Sequence, residues 1–199
     1  MRGMAKGRIA IVQEGSPVLR GKAKPVLLPD IGSKHVREVV LQMKHALAGE
    51  ADGVAIAAPQ IGVPLRIFVV ARNAFVIANE EKRRGGKAVA LTTAEKDLTC
   101  INPEITKLSK KKVKLPEGCL SVRWTYGNTL RHEKVTLHAY DEHGKRFTYG
   151  GSGLIAQIFQ HETDHLNGTL FTDHATDLET LTPEQIAEIE EKQKKQHGK

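Results

Sequence analysis

Tryptophan occurs once and cysteine twice in 199 residues, and aromatic side chains make up only 5% of the chain. Two cysteines cannot build the disulfide framework of a small secreted domain, so Cys100 and Cys119 are expected as free thiols. No apolar run approaches the ~20 residues that crossing a bilayer requires, which excludes a membrane-spanning helix. The opening stretch MRGMAKGRIAIVQEG carries Arg and Lys but no hydrophobic block and no small-residue cleavage site, so no export signal is expected. A cytoplasmic location without a membrane partner follows as the expectation. Internal repeats are missing, and so is any linker that would split the chain. The length suits a single domain over residues 1–199.

Positive charge, by contrast, is plentiful, with a formal net charge of +7. Much of it comes from KLSKKKVK (Lys107 to Lys114) and EEKRRGGK (Glu80 to Lys87). Neither stretch interleaves aromatic residues as a base-stacking platform would, so both read as exposed hairpin or loop segments with a solvated basic face rather than as a sequence-specific nucleic-acid site. A basic surface would still favour work close to RNA-rich machinery.

Hydrophobic spacing gives the organisation. Ser33 is a candidate N-cap, and Val36, Val39, Val40, Met43 and Leu47 recur at helical spacing to about Ala48. LRIFVVAR reads as a buried strand, as does LTCINPEI; KVTLHAYDEHGKRFTYG reads as two strands joined at Glu142-His143-Gly144. The polar segment Asn79 to Asp97, with its Gly pair, is expected to be a loop or hairpin tip. A helix from about Gly153 to Leu166 should stop at Gly168. A final helix over about 182–196 opens with Thr182 as cap, Pro183 in the first turn and Gln185 at the capping-box position. Strands in the middle with helices apart from them make an α+β fold, antiparallel strands packing around a central helix.

That central helix carries the chemistry. In QHETDHLNG the sequence His161-Glu162-Thr163-Asp164-His165 places two histidines one helical turn apart. Leu154, Ile158, His161 and His165 fall on one stripe, so the imidazoles continue an apolar, inward face. Two imidazoles so spaced can grip one divalent ion, and Glu162 beside them suits a general base for an activated water. Asp164 is expected to face solvent. A hydrolytic site needs a third protein ligand. Asp173, His174, Asp177 and Glu179 lie downstream without a recognisable ligand spacing. Upstream, Cys119 in EGCLS offers a thiolate, which suits zinc or ferrous iron. Cys119, His161 and His165 are the best assignment.

Three blocks, in order, now resemble those of the peptide deformylases: GVAIAAPQIG (Gly53 to Gly62), EGCLS (Glu117 to Ser121) and QHETDHL (Gln160 to Leu166). GSPVLRGKAKPV, INPEI and VTLHAYDEHGK fit as well, and the similarity runs from about Ile9 to Asp173. The resemblance implies removal of the N-formyl group from formyl-methionyl nascent peptides. It assigns Cys119, His161 and His165 to Fe(II), often replaced by Zn(II) or Ni(II) on purification. Glu162 would take a proton from water and deliver it to the leaving amine. The Gln60 side-chain amide and the Leu120 backbone N–H would meet the developing oxyanion. Val54, Leu115, Leu154 and Ile158 match the pocket positions for the methionine side chain. Glu117 and Arg131 would form an ion pair supporting the Cys119 loop, and the C-terminal helix would meet the ribosome surface.

Three positions depart from the family pattern. Ala55, whose backbone would line the substrate cleft, replaces a glycine; Arg123 replaces a proline; Tyr126 stands where many members carry a substrate-contacting arginine. Trp124 nearby is open to two readings, cleft rim or core cover. The rival functions are a zinc peptidase, which lacks its downstream ligand here, and a basic adaptor with a structural metal, which lacks a fourth ligand.

Overall fold

The computed structural model describes residues 9–84 and 96–197, and within them all strand pairing between named strands is antiparallel. One sheet has five strands in the order β1 (Ala55–Ala57), β2 (Ile67–Val70), β3 (Leu98–Leu108), β6 (Lys134–Tyr140) and β7 (Arg146–Ser152). The other has three, in the order β4 (Lys112–Cys119), β5 (Val122–His132) and β8 (Thr176–Thr180). This is the α+β arrangement expected, with a helix held between and beside antiparallel strands.

Strand β2 shows why its sequence has no polar alternation. Ile67 and Val69 join the core around α1 (Lys34–Ala48), while Phe68 and Val70 join the core around α3 (Leu154–Leu166). Successive side chains point to opposite faces, so a strand covered on both must be apolar throughout. Helix α1 begins where expected: the Val36 N–H donates to the Ser33 hydroxyl at 3.2 Å, and Val36, Val39, Val40, Met43 and Leu47 are buried.

Helix α3 has no exposed position along its length, which fits its place at the centre. The Gln160 side chain clamps it to the end of β5, accepting from the His132 N–H at 2.9 Å and donating to the His132 carbonyl at 3.0 Å. Past its end, Gly168 adopts φ +79°, and a Cβ there would sit 2.5 Å from the Arg20 carbonyl oxygen. Close approach of the N-terminal arm, as much as the left-handed backbone, therefore requires glycine.

Two elements differ from the expectation. Helix α2 (Arg72–Arg84) runs through Asn79 to Arg84, where a loop was expected; residues 85–95 of that segment lie outside the described residues. Its buried anchors are Ala74, Phe75 and Ala78, and two alanines give little hydrophobic signal against a polar run. Strand β8 is exposed at every position, so no period of two marks it. Helix α4 (Pro183–His197) opens with the expected reciprocal cap, the Thr182 N–H donating to Gln185 Oε1 at 2.8 Å and the Gln185 N–H to Thr182 Oγ1 at 3.4 Å. Among the described residues no helix is long and apolar enough to cross a membrane.

Candidate metal centre and catalytic cleft

Helix α3 delivers His161 and His165 from one face, their ring centroids 4.8 Å apart, and the last residue of β4 delivers Cys119 to meet them. Cys119 Sγ lies 3.1 Å from His165 Nε2, and ligand atoms of all three residues fall within 4.8 Å of one another. The downstream candidates are engaged elsewhere. Asp173 pairs with Arg20 at 2.6 Å, Asp177 with Lys114 at 2.7 Å, and His174 lies 3.8 Å from Asp164; Glu179 sits on exposed β8.

A chain of buried polar groups aims the first imidazole. His161 Nδ1 lies 2.6 Å from Glu117 Oε1, which turns Nε2 toward the cluster. Glu117 in turn accepts from Arg131 Nη2 at 2.6 Å and Nε at 3.0 Å, and from the Thr129 hydroxyl at 2.6 Å. This is the ion pair the resemblance implied, with side chains only 7% and 4% exposed. The third arm of the guanidinium, Nη1, donates to Asp164 Oδ2 at 2.6 Å. Asp164 is thus not a free surface carboxylate as expected, because Arg131 on β5 crosses α3 at that position. Burial would raise the Glu117 carboxyl, yet His161 and Arg131 hold it well below the usual carboxylate range. Burial alone would also depress His161, but Cys119, Glu117 and Glu162 together raise it well above the ordinary imidazole range. His165, buried and facing His161, is held well below it.

Glu162 is 3% exposed and lines the same cleft, and its Oε2 has no hydrogen-bond partner among the described residues. Burial pushes its carboxyl up to about 7; His161 opposes that rise, and the charges of Glu117 and Asp164 add to it. Gln60 comes from the turn after β1 and is 2% exposed, so it is no surface residue. Its Oε1 accepts the Ala57 N–H at 2.7 Å, which fixes the amide's orientation and points Nε2 at Ser121 Oγ (3.1 Å) and Cys119 Sγ (3.6 Å). Leu120, adjoining Cys119, borders the cleft too.

Whether a divalent ion fits can be judged from the donors themselves. One cysteine sulfur and two imidazoles converge, with the carboxyl groups of Glu117 and Glu162 beside them. A buried carboxylate oxygen without a partner among the described residues faces the same space. The set suits zinc, iron or nickel.

The cleft has a volume of about 330 Å³. Of the residues expected along the substrate cleft, Val54, Ala55, Tyr126, Leu154 and Ile158 all border it. Leu115 does not border it. Leu115 pairs with Thr129 further out on β4, and Pro116 and Gly118 reach the cleft instead. Gln157 and Trp124 are cleft residues as well; the Gln157 amide donates to the Pro116 carbonyl at 2.8 Å. Gln157 lies one residue before Ile158 on the stripe's flank, a position that spacing alone does not mark.

A Cys-His-His cluster beside a buried glutamate and an oriented amide, in an open cleft of an α+β fold, defines a metal-dependent hydrolase. The family model of the polypeptide deformylases matches residues 9–181. A peptide deformylase of Thermomicrobium roseum is 40% identical over 171 residues, spanning 86% of this chain and 88% of its own. Peptide deformylase 1A of Arabidopsis thaliana, named chloroplastic/mitochondrial, is 39% identical over 164 residues, 82% of this chain and 60% of that protein. Among solved structures, a peptide deformylase from Synechococcus elongatus in complex with actinonin superposes with a TM-score of 0.68 at 30% identity, over 88% of this chain and 83% of that one. The chain belongs to the polypeptide deformylase family.

Proposed function

We propose that this chain, as one catalytic domain, hydrolyses the N-terminal formyl group of formyl-methionyl nascent peptides and releases formate. The observation that carries the reading is the convergence of Cys119, His161 and His165 beside Glu162 and Gln60 in one cleft. These three residues hold the metal, and Fe(II) is the proposed working ion, with Zn(II) or Ni(II) as substitutes. Held by these residues, the ion would supply Lewis acidity, making a water more acidic and polarising a carbonyl.

The chain's own groups do the rest. Glu162 takes a proton from the attacking water and passes it to the departing amine; a carboxyl pushed up to about 7 is matched to both tasks at neutral pH. Gln60 Nε2, held by the bond from Ala57 to its Oε1, donates to the oxygen on which negative charge develops, and the Leu120 N–H donates beside it. Leu154, Ile158 and Val54 enclose the methionine side chain, which sets the formyl group over the cluster. Glu117 and Arg131 keep His161 in the required tautomer. The ribosome surface is the proposed partner of α4, and the cytoplasm the proposed location. Unchanged ribosome co-sedimentation after deletion of Thr182 to Lys199 would sink the former.

Formate release from formyl-Met-Ala-Ser tests the activity. Protein loaded anaerobically with Fe(II) should turn over rapidly, and chelation should abolish the signal. No formate with iron, zinc or nickel, despite one bound ion per chain, would overturn the assignment.

A further inference from the structure

Two of the three departures from the family pattern, Arg123 and Tyr126, lie together on β5 beside the cleft. Arg123, at the start of β5, reaches across to the loop between α1 and β1: its Nη1 lies 2.9 Å from Asp52 Oδ2 and 3.2 Å from Oδ1, and its Nη2 pairs with Glu50. Asp52 and Val54 belong to one wall of the cleft and Val122 and Trp124 to the other, so the guanidinium ties the walls together. It also lies 5.6 Å from the centroid of the Trp124 ring, within cation–π range.

Trp124 has φ +64°, a left-handed conformation that bulky residues rarely adopt. Its carbonyl accepts the Leu181 N–H at 2.8 Å, and the next residue, Thr125, pairs with Thr180 of β8. An indole held against its backbone preference, on a cleft wall, points to a use for that position. Tyr126 lies opposite Gly118 in the β4–β5 ladder, where an added Cβ would meet its ring at 2.8 Å. The tyrosine ring therefore covers the strand that carries Cys119, while the residue as a whole remains 40% exposed. Burial first, and then Asp52, raise the phenol's pKa, and Arg123 opposes the rise.

Resting on the deformylase reading above, we propose that Trp124 and Tyr126 form an aromatic subsite for the side chain of one of the two residues that follow the formyl-methionine. The subsite takes large apolar or aromatic side chains, whose rings stack offset or edge-on against it. Arg123 is a positioning residue: it touches Asp52, Glu50 and the indole and fixes the rim that the substrate meets.

The test compares kcat and KM for formyl-Met-X-Ser and formyl-Met-Ala-X, with X as Phe, Ala or Glu, using the metal-loaded protein. Phe over Ala at one of the two positions should lower KM by about two- to tenfold with little change in kcat. Tyr126→Ala and Trp124→Gly, the latter compatible with the left-handed backbone, should erase that ratio. Arg123→Ala should reduce it and Arg123→Lys restore part of it. Equal KM for Phe and Ala peptides at both positions, or a ratio that survives both rim substitutions, overturns the proposal. A second readout is independent of turnover, because Trp124 is the chain's single tryptophan. Deformylated Met-Phe-Ser or Met-Ala-Phe should shift its emission at lower concentration than Met-Ala-Ser. If no peptide is deformylated, the activity reading fails, and an emission unmoved by either Phe peptide overturns the subsite separately.

Discussion

At the inner end of the cleft, Gln60, Glu117 and Arg131 are at most 7% exposed, and each makes several hydrogen bonds; at its mouth, Asp52 and Tyr126 are 42% and 40% exposed. The inner groups constrain one another: moving Glu117 would release Arg131, His161 and Thr129 together. The outer groups hang on one guanidinium and on the start of β5, paired with β4 and β8. A constellation so interlocked leaves few allowed residues, so the reaction chemistry is held constant by packing. The rim has looser demands, and this chain places Arg123, Trp124 and Tyr126 there. Reaction type is thus set deep in the cleft and selectivity at its opening.

Breaking the inner end should cost the most. Glu162→Gln keeps the shape but removes the proton carrier, and formate release should fall by about 10²–10⁴-fold with metal content retained. Removing one member of the buried pair, as in Arg131→Ala, should destabilise the fold by about 3–5 kcal/mol in denaturant unfolding. Metal affinity should also fall, by about 10–100-fold, since His161 loses its oriented partner.

Acid should expose the same pair. The folded Glu117 carboxyl lies below its unfolded value, so its pairing stabilises the protein above the ordinary carboxylate range and is lost as pH falls toward the folded value. In the metal-free protein, the stability gap between wild type and Glu117→Gln should therefore narrow steadily between about pH 6 and about pH 3. A constant gap would mean that Glu117 is not held as a paired carboxylate. At the rim the effects should be smallest. Arg123→Ala breaks its partly exposed pairs with Asp52 and Glu50 and should shift unfolding by about 1 kcal/mol, less than Arg131→Ala, so its main consequence is read in substrate choice.

Much of the inner end was legible in the sequence because it rests on local spacing. Ser33 before a helical stripe, and His161 four residues from His165, state their geometry without tertiary context. Cys119 was found through its short motif and the need for a third ligand, although 42 residues separate it from His161. What escaped lacked periodic signal. Helix α2 buries two alanines and one phenylalanine while leaving Val76 and Ile77 exposed, so its apolar residues do not mark one face, and β8 shows no buried face at all. Asp164 read as solvent-facing because its partner, Arg131, arrives from a distant strand. Leu115 matched a pocket position by motif alignment, yet it lies one residue further out along β4 than the cleft lining, which begins at Pro116. The role of Arg123 had no sequence signal either, since it depends on Asp52 and Glu50 crossing the cleft mouth.

The central claim is that Cys119, His161 and His165 hold one catalytic ion. X-ray absorption on the metal-loaded protein tests it most directly, with Cys119→Ser measured alongside. The account predicts one ion per chain with one sulfur and two imidazole nitrogens in its shell, and loss of the sulfur signal in the variant. An ion bound without sulfur, or a shell unchanged by Cys119→Ser, would contradict it.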